Sequence, residues 1–179
     1  MNLKEETLSR EYRFNGHIIN LRTDRVRLPN GNEAGREVVE HPGGVCVAPL
    51  TDNNELLFVR QYRYPYEEVV LELPAGKRDK DGEDPLECGK RELKEETGAT
   101  ATEYISLGKI YPSPGFCNEI IYLYLAKGLD FGEACPDGDE FVEVERIPID
   151  RAVDMVMNGE IPDSKTQIAI LKTARLLGK

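Results

Sequence analysis

A chain of 179 residues is long enough for one domain with a small appendage, and its 40% of hydrophobic residues suffice for a buried core. The formal net charge of −10 argues against nucleic acid or a membrane surface as the main partner, because both are usually anionic. A small anionic substrate stays compatible with this charge if metal ions and a few arginines screen it locally.

The beginning of the chain is predicted to form short antiparallel strands at 10–16, 17–29 and 34–41. The run Pro-Asn-Gly-Asn at 29–32 predicts a hairpin turn between the last two of them. Strands with so few apolar residues bury too little surface to be stable alone. We therefore expect residues 1–42 to be a β subdomain that packs on the partner subunit of a homodimer, followed by the main domain at 43–179.

Strands and helices alternate after this boundary, with strands in the majority. The strands are predicted at 45–50, 55–64, 69–76, 101–112, 119–129 and 139–148, with helices at 84–98, 150–158 and from Asp163 or Ser164 onward. This order indicates an α/β or α+β domain in which helices flank a mixed sheet. The apolar side of the last helix is expected to carry Ile168, Ile170, Leu171, Ala174 and Leu177.

The cysteines and the N-terminus bear on the cellular compartment. Cys46, Cys88, Cys117 and Cys135 show no CxxC spacing, which favours reduced thiols over a disulfide or a metal site. The N-terminal residues have no apolar core typical of a signal peptide, and no run approaches the roughly eighteen apolar residues of a membrane span. We therefore expect a cytoplasmic protein.

One predicted helix concentrates acidic residues on a single face. It lies between a good N-cap residue, Asp84, and Gly98, which suits the left-handed residue that ends a helix. Glu95 and Glu96 follow Glu92 by three and four residues, so the three carboxylates share a face and repel one another. Hard oxygen ligands of this kind suit Mg²⁺ or Mn²⁺. The alternative is an ordinary solvated face of mixed charge.

The residues around this helix resemble the Nudix box. Glu83 is followed, after seven residues, by the run Arg-Glu-Leu-Lys-Glu-Glu-Thr-Gly that begins at Arg91 and ends at Gly98. The chain departs from the family pattern twice, with six residues instead of five between Gly76 and Glu83, and with Ala99 in place of a larger aliphatic residue. The extra residue alters the loop and leaves the helix intact.

The resemblance implies an α/β/α sandwich around a mixed sheet over residues 43–179, and a metal-dependent pyrophosphohydrolase. It implies two or three Mg²⁺ ions per site, with Mn²⁺ as a substitute. The implied ligands are the backbone carbonyl of Ala75 and the carboxylates of Glu92, Glu95 and Glu96. Arg91 is expected to orient a carboxylate, and Glu83 to tie the loop to the helix, with Gly76 and Gly98 as structural residues of the box.

A second stretch is similar to the ADP-ribose pyrophosphatase branch of this family. The run Tyr-Pro-Ser-Pro-Gly-Phe at 111–116 forms a stiff loop, and Pro114 matches a proline that this branch carries in an SPGF-like loop. A rigid loop can shape a sugar pocket at little entropic cost. The resemblance therefore implies substrate contacts from Pro114, Gly115 and Glu119.

Arginines are the candidate phosphate ligands, because a guanidinium can bind phosphate through two hydrogen bonds. Arg60 and Arg63 lie three residues apart near the end of a strand, and the alternative for each is an ion pair with Glu67, Glu68 or Glu72. The resemblance favours Arg63. It also implies that Arg36 contacts substrate across a dimer.

An acidic loop before the strand Phe-Val-Glu-Val supplies the candidate general base. The resemblance selects Glu140, with Asp139 as the alternative, and implies hydrolysis of ADP-ribose to AMP and ribose 5-phosphate, with Glu95 and Arg91 assisting. Another nucleoside diphosphate sugar, such as GDP-mannose or ADP-glucose, is an alternative substrate. A catalytically silent module that binds ADP-ribose or a nucleotide is a different class of function. The intact set of acidic residues argues against it.

Overall fold

The computed structural model describes residues 2–78, 82–135 and 141–179, which form two compact units. The first unit contains the chain up to Gly43 together with Tyr111–Ile120, and the second contains Gly44–Ile110 and Ile121–Lys179. No helix in the described ranges is long and apolar enough to cross a membrane.

The first unit is built on a three-stranded antiparallel sheet. Strands β1 (Glu6–Asn15), β2 (Asn20–Arg27) and β3 (Glu33–Glu40) lie in that order. The expected hairpin turn between β2 and β3 is confirmed by the hydrogen bond from Gly31 N–H to the Leu28 carbonyl at 2.9 Å. Every residue of β1 is exposed. The unit therefore has little core of its own, as its composition predicts.

The second unit contains two sheets, formed by the strands that follow β3 in the chain. They are β4 (Gly44–Pro49), β5 (Glu55–Arg63), β6 (Glu68–Glu72), β7 (Ala75–Lys77), β8 (Ala99–Ile110), β9 (Ile121–Phe131) and β10 (Glu143–Pro148). One sheet has the order β10-β5-β6 and is antiparallel. The other has the order β7-β4-β9-β8 and is mixed, because β4 and β9 are parallel. The predicted mixed sheet is thereby confirmed.

Helices cover both faces of the mixed sheet. They are α1 (Pro85–Thr97), α2 (Ile149–Met157) and α3 (Ser164–Leu176). Side chains alternate along β4, so Val45 and Val47 pack beneath α1, whereas Cys46 and Ala48 belong to the core shared with α2 and α3. This layered arrangement agrees with the α/β/α expectation.

The N-caps of α1 and α3 agree with the sequence signals. The Asp84 side chain accepts the Leu86 backbone N–H at 2.9 Å, and Asp163 accepts that of Thr166 at 3.0 Å. The predicted apolar side of α3 is partly wrong, because Leu171 is 39% exposed. The buried face instead carries two threonines, Thr166 and Thr173, which an apolar pattern does not identify.

Gly98 ends α1 in the left-handed conformation, with φ +69°, as predicted. Its carbonyl accepts the Gly132 N–H at 2.8 Å, and a Cβ at position 98 would overlap the Gly132 carbonyl oxygen. Gly159, which follows α2, has a similar φ of +76° but open space around it. A side chain at position 159 would therefore meet only backbone strain, whereas one at position 98 would meet backbone strain and a steric clash.

Replacing these glycines by alanine should have unequal effects on stability. Gly159→Ala is expected to lower the free energy of unfolding by about 1–2 kcal/mol, the cost of a left-handed alanine. Gly98→Ala should lose about 1–3 kcal/mol more, because the chain at Gly132 must move. Urea unfolding of both variants measures the difference. Equal losses would show that the close approach at Gly98 relaxes without cost.

Candidate active site

Helix α1 carries two buried carboxylates that face the short strand β7. Glu92 and Glu96 are 5% and 2% exposed. The backbone N–H of Ala75 donates to Glu96 Oε2 at 3.0 Å, and the Glu92 carboxylate lies against Gly76. Because four residues make about one turn of helix, both carboxylates reach neighbouring residues of one strand.

Gly76 is required by this contact. A Cβ at position 76 would overlap the Glu92 carboxylate, so any larger residue must displace that side chain or the strand. Gly44 on β4 is similarly close, since a Cβ there would lie 2.9 Å from the Gly76 carbonyl oxygen. Two glycines therefore allow β4, β7 and the Glu92 carboxylate to approach one another.

Arg91 connects three of the acidic side chains. Its Nη1 lies 2.8 Å from Glu92 Oε1 and 2.9 Å from Glu95 Oε2, and its Nε lies 3.4 Å from Glu83 Oε1. Burial alone would lower the pKa of Arg91, but the Glu92 charge and the hydrogen bonds to Glu83 and Glu95 outweigh it and raise that pKa. One permanent positive charge is thus shared among three carboxylates.

Glu83 is held in the loop before α1 with one oxygen unsatisfied. Its Oε2 is buried and accepts no hydrogen bond within the described part of the chain. A buried carboxylate oxygen without a donor is costly, which favours a cation nearby. Cys88 stays a neutral thiol, because burial and the charges of Glu83 and Glu92 raise its pKa to about 12, and it donates to the Lys77 carbonyl at 3.3 Å.

The chemistry of these donors fits a hard divalent ion. All of the candidate ligands are oxygens, namely the carboxylates of Glu92, Glu95 and Glu96 and the carbonyl of Ala75. Among the described residues, no three carboxylate, imidazole or thiol groups converge into a complete metal cage. Mg²⁺ commonly binds through one or two carboxylates while keeping waters and recruiting substrate phosphates. The residues present fit that mode of binding.

A buried carboxylate at the end of β6 organises a second group of charges. Glu72 is 2% exposed, and Arg63 binds it through two hydrogen bonds of 2.6 and 2.7 Å. Lys165 of α3 forms an ion pair with the same carboxylate. Burial alone would raise the pKa of Glu72, but the Arg63 hydrogen bond and the Lys165 charge outweigh it and lower the pKa.

The first turn of α3 contributes residues that sequence reasoning missed. Besides the Lys165 ion pair, the Thr166 hydroxyl accepts the Leu73 N–H at 2.9 Å. The available signal was a lysine in the first turn of a helix, where a cation is disfavoured by the helix dipole unless carboxylates surround it. These contacts hold the chain immediately before β7.

Both candidate phosphate ligands on β5 are ion-paired. Arg63 binds Glu72, one of the partners predicted for it, and Arg60 Nη2 lies 2.8 Å from Glu145 Oε2 on β10. The side chains are 37% and 40% exposed for Arg63 and Arg60, respectively. Both side chains are thus only partly buried, and their roles toward phosphate stay predictions.

The first unit holds the other predicted substrate contacts. Arg36 pairs with Glu5 at 3.0 Å and, with Gly115 and Phe116, lines an open cavity of about 660 Å³ on the sheet. Glu119 lies 3.4 Å from His41 Nδ1.

Pro114 belongs to the same segment, Tyr111–Ile120, which attaches to β3. The Val39 N–H donates to the Phe116 carbonyl at 2.8 Å, and the Asn118 N–H donates to the Val39 carbonyl at 3.0 Å. Glu140 and Asp139, the candidates for the general base, lie outside the described residues.

Comparisons with known proteins agree with this arrangement. A model of the Nudix domain matches residues 40–166, and a model of the nucleoside diphosphate sugar hydrolase N-terminal domain matches residues 5–39. An ADP-ribose pyrophosphatase of Bacillus subtilis is 42% identical over 170 residues, which cover 94% of this chain and 91% of the relative. A methanol dehydrogenase activator of Bacillus methanolicus is 44% identical, with 93% and 91% covered.

A solved structure gives the same fold. The crystal structure of an ADP compounds hydrolase superimposes with a TM-score of 0.87 at 22% identity, covering 99% of this chain and 97% of that one. The Nudix match includes β7, α1 and the whole acidic face with Glu92 and Glu96. The chain therefore belongs to the Nudix hydrolase family.

Proposed function

We propose that this protein hydrolyses the pyrophosphate bond of ADP-ribose to AMP and ribose 5-phosphate in the presence of Mg²⁺. The observation that carries the proposal is the pair of buried carboxylates against Ala75 and Gly76, in a chain 42% identical to a relative named ADP-ribose pyrophosphatase. Nudix enzymes of that kind generally need a divalent metal. The number of ions, two or three, and the use of Mn²⁺ belong to the proposal.

The carboxylates of Glu92, Glu95 and Glu96 and the Ala75 carbonyl would hold the ions. Held by these residues, divalent ions would supply positive charge to the pyrophosphate oxygens and make a nearby water more acidic. Arg91 keeps Glu92 and Glu95 in a fixed orientation through its two contacts below 3 Å. A fixed ligand orientation is valuable because small displacements of catalytic groups cost rate.

Substrate selection would depend on the arginines and the rigid loop. Arg63 and Arg60 are proposed to bind the phosphates, and Arg36, Pro114, Gly115 and Glu119 to contact the rest of the nucleotide sugar. The partial exposure of the Arg63 and Arg60 side chains supports this assignment, since neither is sealed in the core.

The assembly and location are also proposed from composition and packing. A fully exposed β1 in a unit with little core supports a homodimer through the N-terminal strands, which sedimentation at micromolar concentration tests. Free Cys46, Cys88, Cys117 and Cys135 support a cytoplasmic location, where thiols stay reduced. Neither nucleic acid nor a membrane is proposed as a partner, given the net charge of −10.

Two other functions remain distinguishable by experiment. Another nucleoside diphosphate sugar, such as GDP-mannose or ADP-glucose, would need the same acidic face and differ only in the pocket. A silent binding module would have no need of buried acidic residues that repel one another. The name of the Bacillus methanolicus relative describes an effect on another enzyme. A hydrolase assay does not test such an effect, which needs a separate activation assay.

Assays with a panel of substrates test the proposal directly. We expect ADP-ribose to have the highest kcat/KM among ADP-ribose, ADP-glucose, GDP-mannose and a dinucleoside polyphosphate, and a chelator to abolish turnover. Chromatography of the products should give AMP and ribose 5-phosphate. If another compound of the panel had a kcat/KM about tenfold higher, that compound would replace ADP-ribose as the proposed substrate. Absence of metal-dependent turnover of every member would refute the hydrolase itself.

Removing either buried carboxylate charge should remove most activity. Glu96→Gln and Glu92→Gln keep the side-chain size but lose a charged ligand, so kcat/KM should fall about 100-fold or more. Glu87→Gln is the matched control, because Glu87 lies on the same helix but is exposed and pairs with Lys90. Circular dichroism checks the fold. Full activity of folded Glu92 and Glu96 variants at limiting Mg²⁺ would show that these buried carboxylates do not bind the metal.

The acidic loop should contribute to the chemical step and little to stability. Glu140→Gln should lower kcat by about 10²–10⁴-fold, the usual effect of losing a general base, with melting temperature and metal affinity nearly unchanged. Asp139→Asn is the control and should do much less. The reverse order would assign the base to Asp139, and effects below tenfold in both variants would exclude this loop.

A further inference from the structure

Glu72 is a buried carboxylate that binds two cations at once. Arg63 forms hydrogen bonds to both of its oxygens, and Lys165 forms an ion pair with Oε2. One buried carboxylate needs only one positive charge for neutrality. The second cation therefore calls for an explanation beyond the stability of the pair.

The two cations differ in their freedom to leave. The Arg63 side chain is 37% exposed, whereas that of Lys165 is 13% exposed. Lys165 Nζ also contacts Asp163 Oδ1 at 3.0 Å, so it is held by carboxylates on two sides. Burial alone would lower the pKa of Lys165, but the charges of Glu72 and Asp163 outweigh it and raise that pKa. Lys165 thus stays charged and in place.

Asp163 does not fully neutralise the positive charge of Lys165. It is the N-cap of α3, where its carboxylate accepts the Thr166 N–H and meets the positive end of the helix dipole. Part of the Asp163 charge is therefore balanced by the helix. Lys165 can neutralise Glu72 even when Arg63 is absent.

We propose that Arg63 dissociates from Glu72 during the reaction and binds the pyrophosphate of the substrate instead. Lys165 is the positioning residue that makes this exchange possible. The proposal rests on the proposed function and deepens it. Without Lys165, departure of Arg63 would leave a buried carboxylate with no counter-charge, which is strongly unfavourable. With Lys165 in place, Arg63 moves from one anion to another while Glu72 stays paired.

The location of Glu72 suits this exchange. It ends β6, three residues before Ala75, whose N–H binds Glu96. The Thr166 hydroxyl fixes the intervening Leu73 N–H, so the strand end does not depend on Arg63. Arg63 can leave Glu72 without releasing the backbone that presents the candidate metal ligands.

Binding of an ADP-ribose analogue with a methylene bridge between its phosphorus atoms tests the proposal by titration calorimetry. Because the analogue is not hydrolysed, the dissociation constant is measured without turnover. Lys165→Met should weaken binding about 10- to 100-fold, since Arg63 is then the sole counter-ion of Glu72 and is retained by it. Lys172→Met is the matched control, because Lys172 lies on the same helix but donates to the Leu107 carbonyl. It should bind like wild type.

A second substitution separates positioning from a merely structural role. In Lys165→Met/Glu72→Gln the buried charge is gone, Arg63 is released, and affinity should return to within about threefold of wild type, a small fraction of the expected loss. A structural role of Lys165 predicts the opposite, with the double variant as weak as Lys165→Met or weaker. Lys165→Arg keeps the charge and should stay close to wild type.

Unchanged binding by Lys165→Met, or no recovery in the double variant, overturns the proposal. If Lys165→Met does not fold, Glu72→Gln alone decides, because release of Arg63 should make binding equal or tighter and weaker binding overturns the proposal. If the wild type hydrolyses another nucleotide sugar, the proposed substrate is wrong, and the same variants are titrated with the methylene analogue of that sugar.

Discussion

The contact between two carboxylates of α1 and the backbone of β7 is the constraint on which the rest of the second unit depends. Glu96 accepts the Ala75 N–H, and Glu92 lies where Gly76 has no side chain. A buried carboxylate is tolerated only with donors or cations in place. The strand and the helix must therefore be held at a fixed separation, and a glycine is the residue that permits it.

The chain holds this separation from both faces of β4. Val45 and Val47 pack beneath α1, and the core on the other face joins Cys46 and Ala48 to α3. The first turn of α3 in turn binds the strand end before β7 through Thr166. Two helices far apart in sequence thus fix one short segment, because alternate side chains of a central strand point to opposite faces.

The sequence predicted those features of the fold that depend only on residues close together in the chain. The Asp84 cap, the left-handed Gly98 and the turn at 29–32 depend on neighbouring residues, and all are confirmed. The partner of Arg63 depends on the tertiary fold. Strand register places Glu68 directly opposite Arg63, yet the guanidinium binds Glu72, because the buried carboxylate gains more from a counter-charge than the exposed one. The exposure of Leu171 and the burial of Thr166 likewise depend on the tertiary fold.

The two charge groups of the second unit are balanced differently. Around Glu72, two cations meet one fully buried carboxylate, and Asp163 is partly balanced by a helix terminus. Around Arg91, one guanidinium is shared by Glu83, Glu92 and Glu95. The first arrangement can release a cation to an incoming anion, and the second attracts further cations. A pyrophosphate bound with divalent ions, as in the proposed function, needs both, so the two opposite imbalances complement each other in that function.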